Sequence, residues 1–357
     1  MGPFGMAVLL PMFPELRQSF GVSSQAIGWG FTAYLLPFAA LLLVSGTLGE
    51  RWGRSRTVRS TYLLYAIASI MCACAPNLTV FLLGRSLQGV ANAFITPLLL
   101  AGLAEITPST RFGRNVGIYS SFQALGGALA PIIGGVAADA SWRAAFWGTA
   151  ILSFALSLLP PSGEPRTGTN LPPIRPLFKK RILLLGLAAL AASMGPMGIS
   201  ILVGVAARDS FHVSGSSAGL ILLSGAAAPF LLGPFWGQTL DRFGYKKTPI
   251  IASIGVTASA CLLATASSPW ALAAIWFLVG GLVGFLAVVL QALAVTEVEE
   301  NRGGALSFVL AFRFLGLGLV PVVWLSPLEE SYVGTFLGAS SLGLITILIM
   351  IRNSRVA

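Results

Sequence analysis

Apolar stretches of about twenty residues, cut by short polar turns, follow one another from one end of the chain to the other. That length matches the ~20 residues a helix needs to cross ~30 Å of hydrocarbon. The pattern predicts spans near 1–13 (partial), 28–48, 57–76, 78–104, 115–138, 143–160, 182–206, 215–237, 248–267, 270–295, 304–326 and 331–351. One longer polar stretch, rich in Pro, Gly and basic residues, breaks the rhythm after the sixth span. It predicts a cytoplasmic linker over 161–181 between an N-terminal six-helix bundle, 1–160, and a C-terminal one, 182–357.

The turns themselves repeat. Residues 46–56 read Gly-Thr-Leu-Gly-Glu-Arg-Trp-Gly-Arg-Ser-Arg and residues 237–247 read Gly-Gln-Thr-Leu-Asp-Arg-Phe-Gly-Tyr-Lys-Lys. Gly46, Glu50, Arg51 and Gly53 thus return as Gly237, Asp241, Arg242 and Gly244, each shifted by 191 (237 − 46). At the other membrane face, Ser-Phe-Gly-Val-Ser at 19–23 returns as Ser-Phe-His-Val-Ser at 210–214. Parallel six-span repeats are one of the architectures of transporters. The same repeat sets Met1-Gly2-Pro3-Phe4-Gly5 beside Met194-Gly195-Pro196-Met197-Gly198, with a two-residue gap. Met194 lies twelve residues into the seventh span (194 − 182), so the first span is expected to be incomplete, its cytoplasmic half preceding Met1.

Composition narrows the class. The chain is 55% hydrophobic and 10% charged, against roughly 25% charged residues in soluble domains. The net charge of +10 is a topology signal: seventeen Lys/Arg lie in loops on the 46–56 side, three (Arg17, Arg143, Arg208) on the other, two inside spans. The basic side is cytoplasmic by the positive-inside rule, and the C-terminus with it. Charges scattered over short loops do not make a nucleic-acid surface. Cys72, Cys74 and Cys261 lie in apolar runs with no histidine nearby, so they read as packing residues and not as metal ligands. No nucleophile–base pair or phosphate loop stands out, and neither an enzyme nor a cofactor is expected.

Two cations are inside spans. Arg85 falls eight residues after Asn77, roughly 12 Å in, and Arg313 eleven residues after Arg302, roughly 16 Å in. An arginine at mid-membrane costs about 2.5–3.5 kcal/mol even on the lenient insertion scale, so both should face a protein or water-filled interior. Helical spacing puts Arg85, Gln88 and Asn92 near one face, and Gln123 aligns with Arg313 in the repeat, here with a shift of 190 (313 − 123). With Tyr34 and Gln291 they are the expected lining of a substrate or proton pathway, and Phe31, Phe94, Phe122 and Trp236 are candidates for its apolar wall. All twelve acidic residues lie in or beside loops. Proton coupling would then need a carboxylate in the segment expected before Met1, since Arg85 cannot itself carry the proton. Glu105 and Glu297 end spans four and ten near the repeated turns. They suggest a cytoplasmic latch with Glu50, Arg51, Arg54, Asp241 and Arg242, around the turn glycines Gly46, Gly53 and Gly244. Surface pairs contribute only about 0–1 kcal/mol each, so such a latch must be a network.

Over its full length the chain resembles the major facilitator superfamily. The 46–56 turn is similar to that family's loop motif, with Glu50 in place of Asp and Ser55 intervening before Arg56. Arg85-Ser-Leu-Gln88-Gly89 looks like its span-four element. In span five Gly117, Gly126, Ala130-Pro131 and Gly134-Gly135 resemble the antiporter motif, with Ala130 where Gly is usual; Gly316 and Val320-Pro321 echo it in span eleven. Trp142-Arg143 resembles a pair typical of drug/proton antiporters. The resemblance implies an all-α, twelve-helix major facilitator fold, two six-helix bundles related by pseudo-two-fold symmetry, with span five as a hinge. It also implies a monomeric multidrug-efflux transporter of a bacterial inner membrane, exporting lipophilic small molecules against protons by alternating access. Two alternatives stay open: an uptake symporter or facilitator for a small metabolite, and an inactive product of a truncated frame.

Overall fold

The computed structural model describes residues 2–107, 112–161, 179–298 and 302–354. Among them every regular element is an α-helix or a short 3-10 turn. The chain forms two compact units, Met1–Leu171 and Pro172–Ala357.

The first unit holds α1 (Gly2–Ala7), a 3-10 turn (Leu10–Met12), α2 (Phe13–Phe20), α3 (Ser24–Arg51), α4 (Arg54–Ala73), α5 (Leu78–Ile106), α6 (Phe112–Ala140) and α7 (Trp142–Ser157). The second holds α8 (Lys180–Met194), α9 (Ser200–Asp209), α10 (Gly215–Leu262), α11 (Pro269–Glu297), α12 (Arg302–Glu330), α13 (Tyr332–Ser341) and α14 (Gly343–Ser354). Among the described residues, seven segments are long and apolar enough to cross a membrane: Ser24–Gly46, Leu78–Leu103, Gly215–Leu232, Lys247–Thr265, Pro269–Ala294, Gly303–Glu330 and Tyr332–Arg352.

Local chemistry sets the helix ends. Ser23, Asn77, Ser214, Ser268 and Ser331 each accept a backbone N–H three residues on, so each caps an orphan donor of the first turn. Gly21, in the left-handed region (φ 66°), ends α2 with its N–H on the Arg17 carbonyl. The predicted span 182–206 is interrupted: α8 stops at Met194, Gly195 takes φ −114° and ψ −118°, and α9 resumes at Ser200. Pro196 lacks an N–H and disfavours the helical region for the residue before it. The Met194 carbonyl released there accepts the Trp324 indole N–H at 2.8 Å.

Lipid gives helices no hydrophobic reason to associate, so close backbone approach matters more. In the first unit, α3 crosses α5 at Gly89, where a Cβ would land on the Tyr34 carbonyl, and α6 meets the end of α1 at Gly134, where it would land on the Val8 carbonyl. In the second unit, α10 crosses α11 at Gly280 against the Gly225 carbonyl, and α12 meets α8 at Gly316 against the Leu190 carbonyl. Small residues (Ala188, Ala189, Ala192, Ala252, Ala294) fill much of that unit's core.

The internal repeat is visible in this geometry. Gly89 and Tyr34 become Gly280 and Gly225, both shifted by 191 (280 − 89, 225 − 34). The positive-φ residues Gly21 and Gly53 (66° and 91°) return as His212 and Gly244 (52° and 71°). The caps Ser23 and Asn77 return as Ser214 and Ser268. Phe20 packs on Trp142, with ring centroids 5.6 Å apart, as Phe211 packs on Tyr332 at 6.0 Å, the second partner being shifted by 190 (332 − 142) and not 191. α10 is two helices meeting at a kink, matching the two predicted spans it covers: Gly244 takes non-helical φ 71° and ψ 173°, and helix resumes at once.

Candidate functional site

The most polar buried group of the first unit centres on Arg85. Its side chain is wholly buried, so it does not snorkel to the surface. Nε donates to the Gly30 carbonyl at 3.2 Å, and Nη1 donates to the Gly5 carbonyl at 2.9 Å and to Gln88 Oε1 at 2.7 Å. The guanidinium lies over the Tyr34 ring, 4.5 Å from its centroid, a cation–π contact strengthened by desolvation. Gln88 Nε2 donates to Ser69 Oγ at 2.8 Å, and Ser69 donates to the Tyr65 carbonyl at 2.7 Å. Helices α1, α3, α4 and α5 are thereby tied through one cation. Gly5 can supply its carbonyl because α1 stops at Ala7, so the helix does not run on to give that carbonyl a regular donor. None of these partners of Arg85 is a carboxylate. Its Nη2 has no hydrogen-bond partner among the described residues, nor does Oδ1 of Asn92, buried two turns further along α5.

Sequence spacing thus brought Arg85, Gln88 and Asn92 to one buried face, and α3 adds Tyr34. It missed Tyr65 and Ser69. Their signal is a stripe on α4, Tyr62, Tyr65, Ser69 and Cys72, at helical spacing and buried throughout. Gln123 sits half-buried on α6, donating to Tyr119 Oη at 2.7 Å and to Thr96 Oγ1 at 3.4 Å. Gln291 and Arg313 belong to the second unit, half-buried on α11 and α12. The repeat position of Arg85 is Trp276 (85 + 191), whose indole N–H donates to the Leu222 carbonyl at 3.2 Å. The charge at this crossing is therefore particular to the first unit. Of the aromatic candidates, Phe31 and Phe94 are buried, Trp236 stacks on Phe285 with centroids 4.6 Å apart, and Phe122 is exposed.

The turn between α3 and α4 is two residues long, Trp52 and Gly53, and Gly53 adopts φ 91°. It is pinned by Thr57, whose hydroxyl donates to the Gly49 carbonyl at 3.2 Å. Glu50, in the last turn of α3, binds Arg54 through both oxygens, Nε–Oε1 at 2.7 Å and Nη2–Oε2 at 3.1 Å. Arg54 is 1% exposed and Glu50 18%. Room for Arg54 comes from Gly102 on α5, where a Cβ would stand 3.3 Å from Arg54 Cδ. Arg51 is exposed, and Gly46 makes an ordinary contact with Pro97. The latch partners Glu105 and Asp241 have side chains outside the described residues. In the second unit Arg242 is exposed, and Glu297 pairs with Arg181 at 3.5 Å, both partly exposed.

The span-five motif is uneven. Gly134 and Gly135 are buried, Gly134 tightly, as are Ala130 and Pro131. A Cβ at Gly126 would meet nothing within 4 Å. Gly117 lies on α6, with its burial outside what is described. α6 continues through Pro131. Trp142 is buried among Phe20, Phe81 and Phe146, while Arg143 covers its ring at 4.2 Å and donates to the Ala75 carbonyl at 3.4 Å.

Apolar helices, glycine crossings and a buried cation held by two backbone carbonyls and a glutamine define an internally repeated, multi-pass membrane protein. The sequence model of the Major Facilitator Superfamily matches residues 1–205 and again 185–356, and the chain belongs to that family of transporters. Family membership places it among transporters and not enzymes. Among its relatives, the drug efflux pump JefA of Mycobacterium tuberculosis is 33% identical over 135 residues, 37% of this chain and 27% of the pump. EfpA, an MFS-type transporter of the same organism, is 32% identical over 141 residues, 39% of this chain and 26% of EfpA. The multidrug transporter mfsC of Aspergillus fumigatus is 30% identical over 159 residues, 44% of this chain and 30% of mfsC. The matched stretches thus span less than a third of each relative's length.

Proposed function

We propose that this protein is a secondary active transporter that exports hydrophobic or amphipathic small molecules, with proton antiport as its coupling. In this reading two six-helix bundles, twelve spans in all, alternate access across a bacterial inner membrane, and the C-terminus is cytoplasmic. The observation that carries the reading is the buried Arg85 group in a family whose similar members include drug efflux pumps. A desolvated guanidinium held by carbonyls, with one nitrogen uncommitted, is a fixed positive charge that a substrate or a titrating neighbour can sense. Beyond this polar group the largest buried side chains of the first unit are mostly aromatic and aliphatic, Phe13, Phe31, Phe81, Leu9 and Leu16 among them, which suits lipophilic cargo better than a polar metabolite. The pathway residues proposed are Tyr34, Arg85, Gln88, Asn92 and Gln123 in the first unit, with Gln291 and Arg313 in the second. Glu50, Arg51, Arg54, Glu105, Asp241, Arg242 and Glu297 form the proposed cytoplasmic gate, and Gly117 to Gly135 the hinge.

The test is tolerance. Cells overexpressing the protein are expected to survive higher concentrations of lipophilic dyes and antibiotics than vector controls, and Arg85→Met is expected to abolish the difference at equal membrane abundance. Equal tolerance of the two strains across a broad compound panel would remove the export reading.

A further inference from the structure

We propose that a cavity beside the basic turn of the first unit binds an amphipathic anion, a phosphate-type head carried on an apolar body. This goes beyond the transport reading and does not rest on it. The cavity, about 380 Å³, is lined by Trp52, Arg56, Thr57, Ser60, Thr61 and Phe94. Trp52 and Phe94 stack with centroids 5.8 Å apart and planes 24° from parallel, forming an apolar wall. Arg56 and Ser60 are exposed one helical turn apart on α4 and supply donors at the mouth. Arg56 also lies in the first turn of α4, where the helix dipole favours negative charge. The nearby carboxylate of Glu50 is engaged with Arg54 through both oxygens, and Arg51 is exposed close by in the chain. The mouth is therefore cationic and the wall apolar. The hydroxyl hydrogens of Thr57 and Thr61 are committed to the carbonyls of Gly49 and Thr57, at 3.2 and 2.9 Å. Both oxygens are left able only to accept, as from a glycerol hydroxyl of the ligand.

Comparison with the second unit shows that this cavity is not simply inherited from the repeat. With the shift of 191, Arg56, Thr57, Ser60, Thr61 and Phe94 correspond to Lys247, Thr248, Ile251, Ala252 and Phe285. There two hydroxyls give way to Ile and Ala, and Phe285 is stacked by Trp236, 4.6 Å away, from a different position on the chain. The first unit keeps cation, hydroxyls and open aromatic wall together.

One ligand chemistry could come from the bilayer or from solution, and the probes separate them. The full chain, purified in detergent, is titrated with phosphatidylglycerol, with phosphatidylcholine of the same chains, and with inorganic phosphate; lipid retention is read by native mass spectrometry. Phosphatidylglycerol is expected to be retained in preference to phosphatidylcholine. Arg56→Gln, which removes a charge-assisted contact, should weaken it about tenfold, and Ser60→Ile, which installs the second unit's residue, should weaken it too. Arg59→Gln, outside the cavity lining, should stay within about twofold of wild type. Positions 56 and 60 are exposed, so these variants should melt with wild type. Equal retention of the two lipids, or no effect of Arg56→Gln, would overturn the proposal. Displacement of phosphatidylglycerol by equimolar inorganic phosphate would also overturn it, in favour of a simple anion site.

Discussion

Gly89→Ala is the sharpest perturbation the helix packing offers. The added Cβ would fall on the Tyr34 carbonyl, with Pro37 Cγ only 3.2 Å away, so backbone and not a flexible side chain stands in its path. Forcing a methyl into a packed core costs about 1–3 kcal/mol, while Ala in place of Gly within a helix returns about 1 kcal/mol. The net loss is about 0–2 kcal/mol, and because carbonyl backbone cannot rotate aside, the upper half of that range is expected. For a unit of this size each kcal/mol moves the melting temperature by about 2–4 °C, so Gly89→Ala should melt about 2–8 °C lower. The matched control is Gly126→Ala. It lies in the span-five motif, yet its Cβ would meet nothing within 4 Å, so only the propensity gain remains and stability should hold or rise. Thermal unfolding of both variants in one detergent decides the matter. If Gly89→Ala melted within about 1 °C of wild type while Gly126→Ala fell by several degrees, the packing argument would be wrong. Function should follow, because the α3–α5 crossing that Gly89 allows also holds the Tyr34 ring over Arg85.

Three further outcomes follow from particular contacts. Glu50→Gln removes the carboxylate that Arg54, 1% exposed, binds through Nε and Nη2; breaking a buried pair costs about 3–5 kcal/mol, and partial exposure of Glu50 brings the expected loss to about 1–3 kcal/mol. Adding Arg54→Gln should recover part of it in a double-mutant cycle, whereas strict additivity would deny the coupling. Trp324→Phe removes the donor to the Met194 carbonyl and should lower the melting temperature by about 2–4 °C, one hydrogen bond being worth about 1 kcal/mol. Glu297→Gln breaks a longer, half-exposed pair with Arg181 and should change stability by less than about 1 kcal/mol.

Apolar run lengths and the repeated turns were enough to read a multi-pass helical membrane protein from the sequence, because both are local and periodic. The 191-residue shift carried further than the turns from which it was read: it also relates the Gly89–Tyr34 and Gly280–Gly225 crossings. Arg85, Gln88 and Asn92 were legible as one face because helical spacing alone decides it. What was not legible depends on which backbone meets which. The motif glycines look alike in sequence, yet Gly134 lies against a carbonyl and Gly126 against nothing. Nor was it legible that Glu50 binds Arg54 through both oxygens, since that depends on a two-residue turn that brings α4 back beside the last turn of α3. The interruption between α8 and α9 could have been read from Gly195-Pro196, and hydropathy across 182–206 masked it.

Proteoliposome transport tests the central proposal most directly. The purified chain, reconstituted with an imposed pH gradient, should move a lipophilic fluorescent dye against its concentration gradient. Collapse of the pH gradient should stop that movement, and Arg85→Met should not support it. Dye movement that ignores the pH gradient, or that survives Arg85→Met at the wild-type rate, would contradict the account.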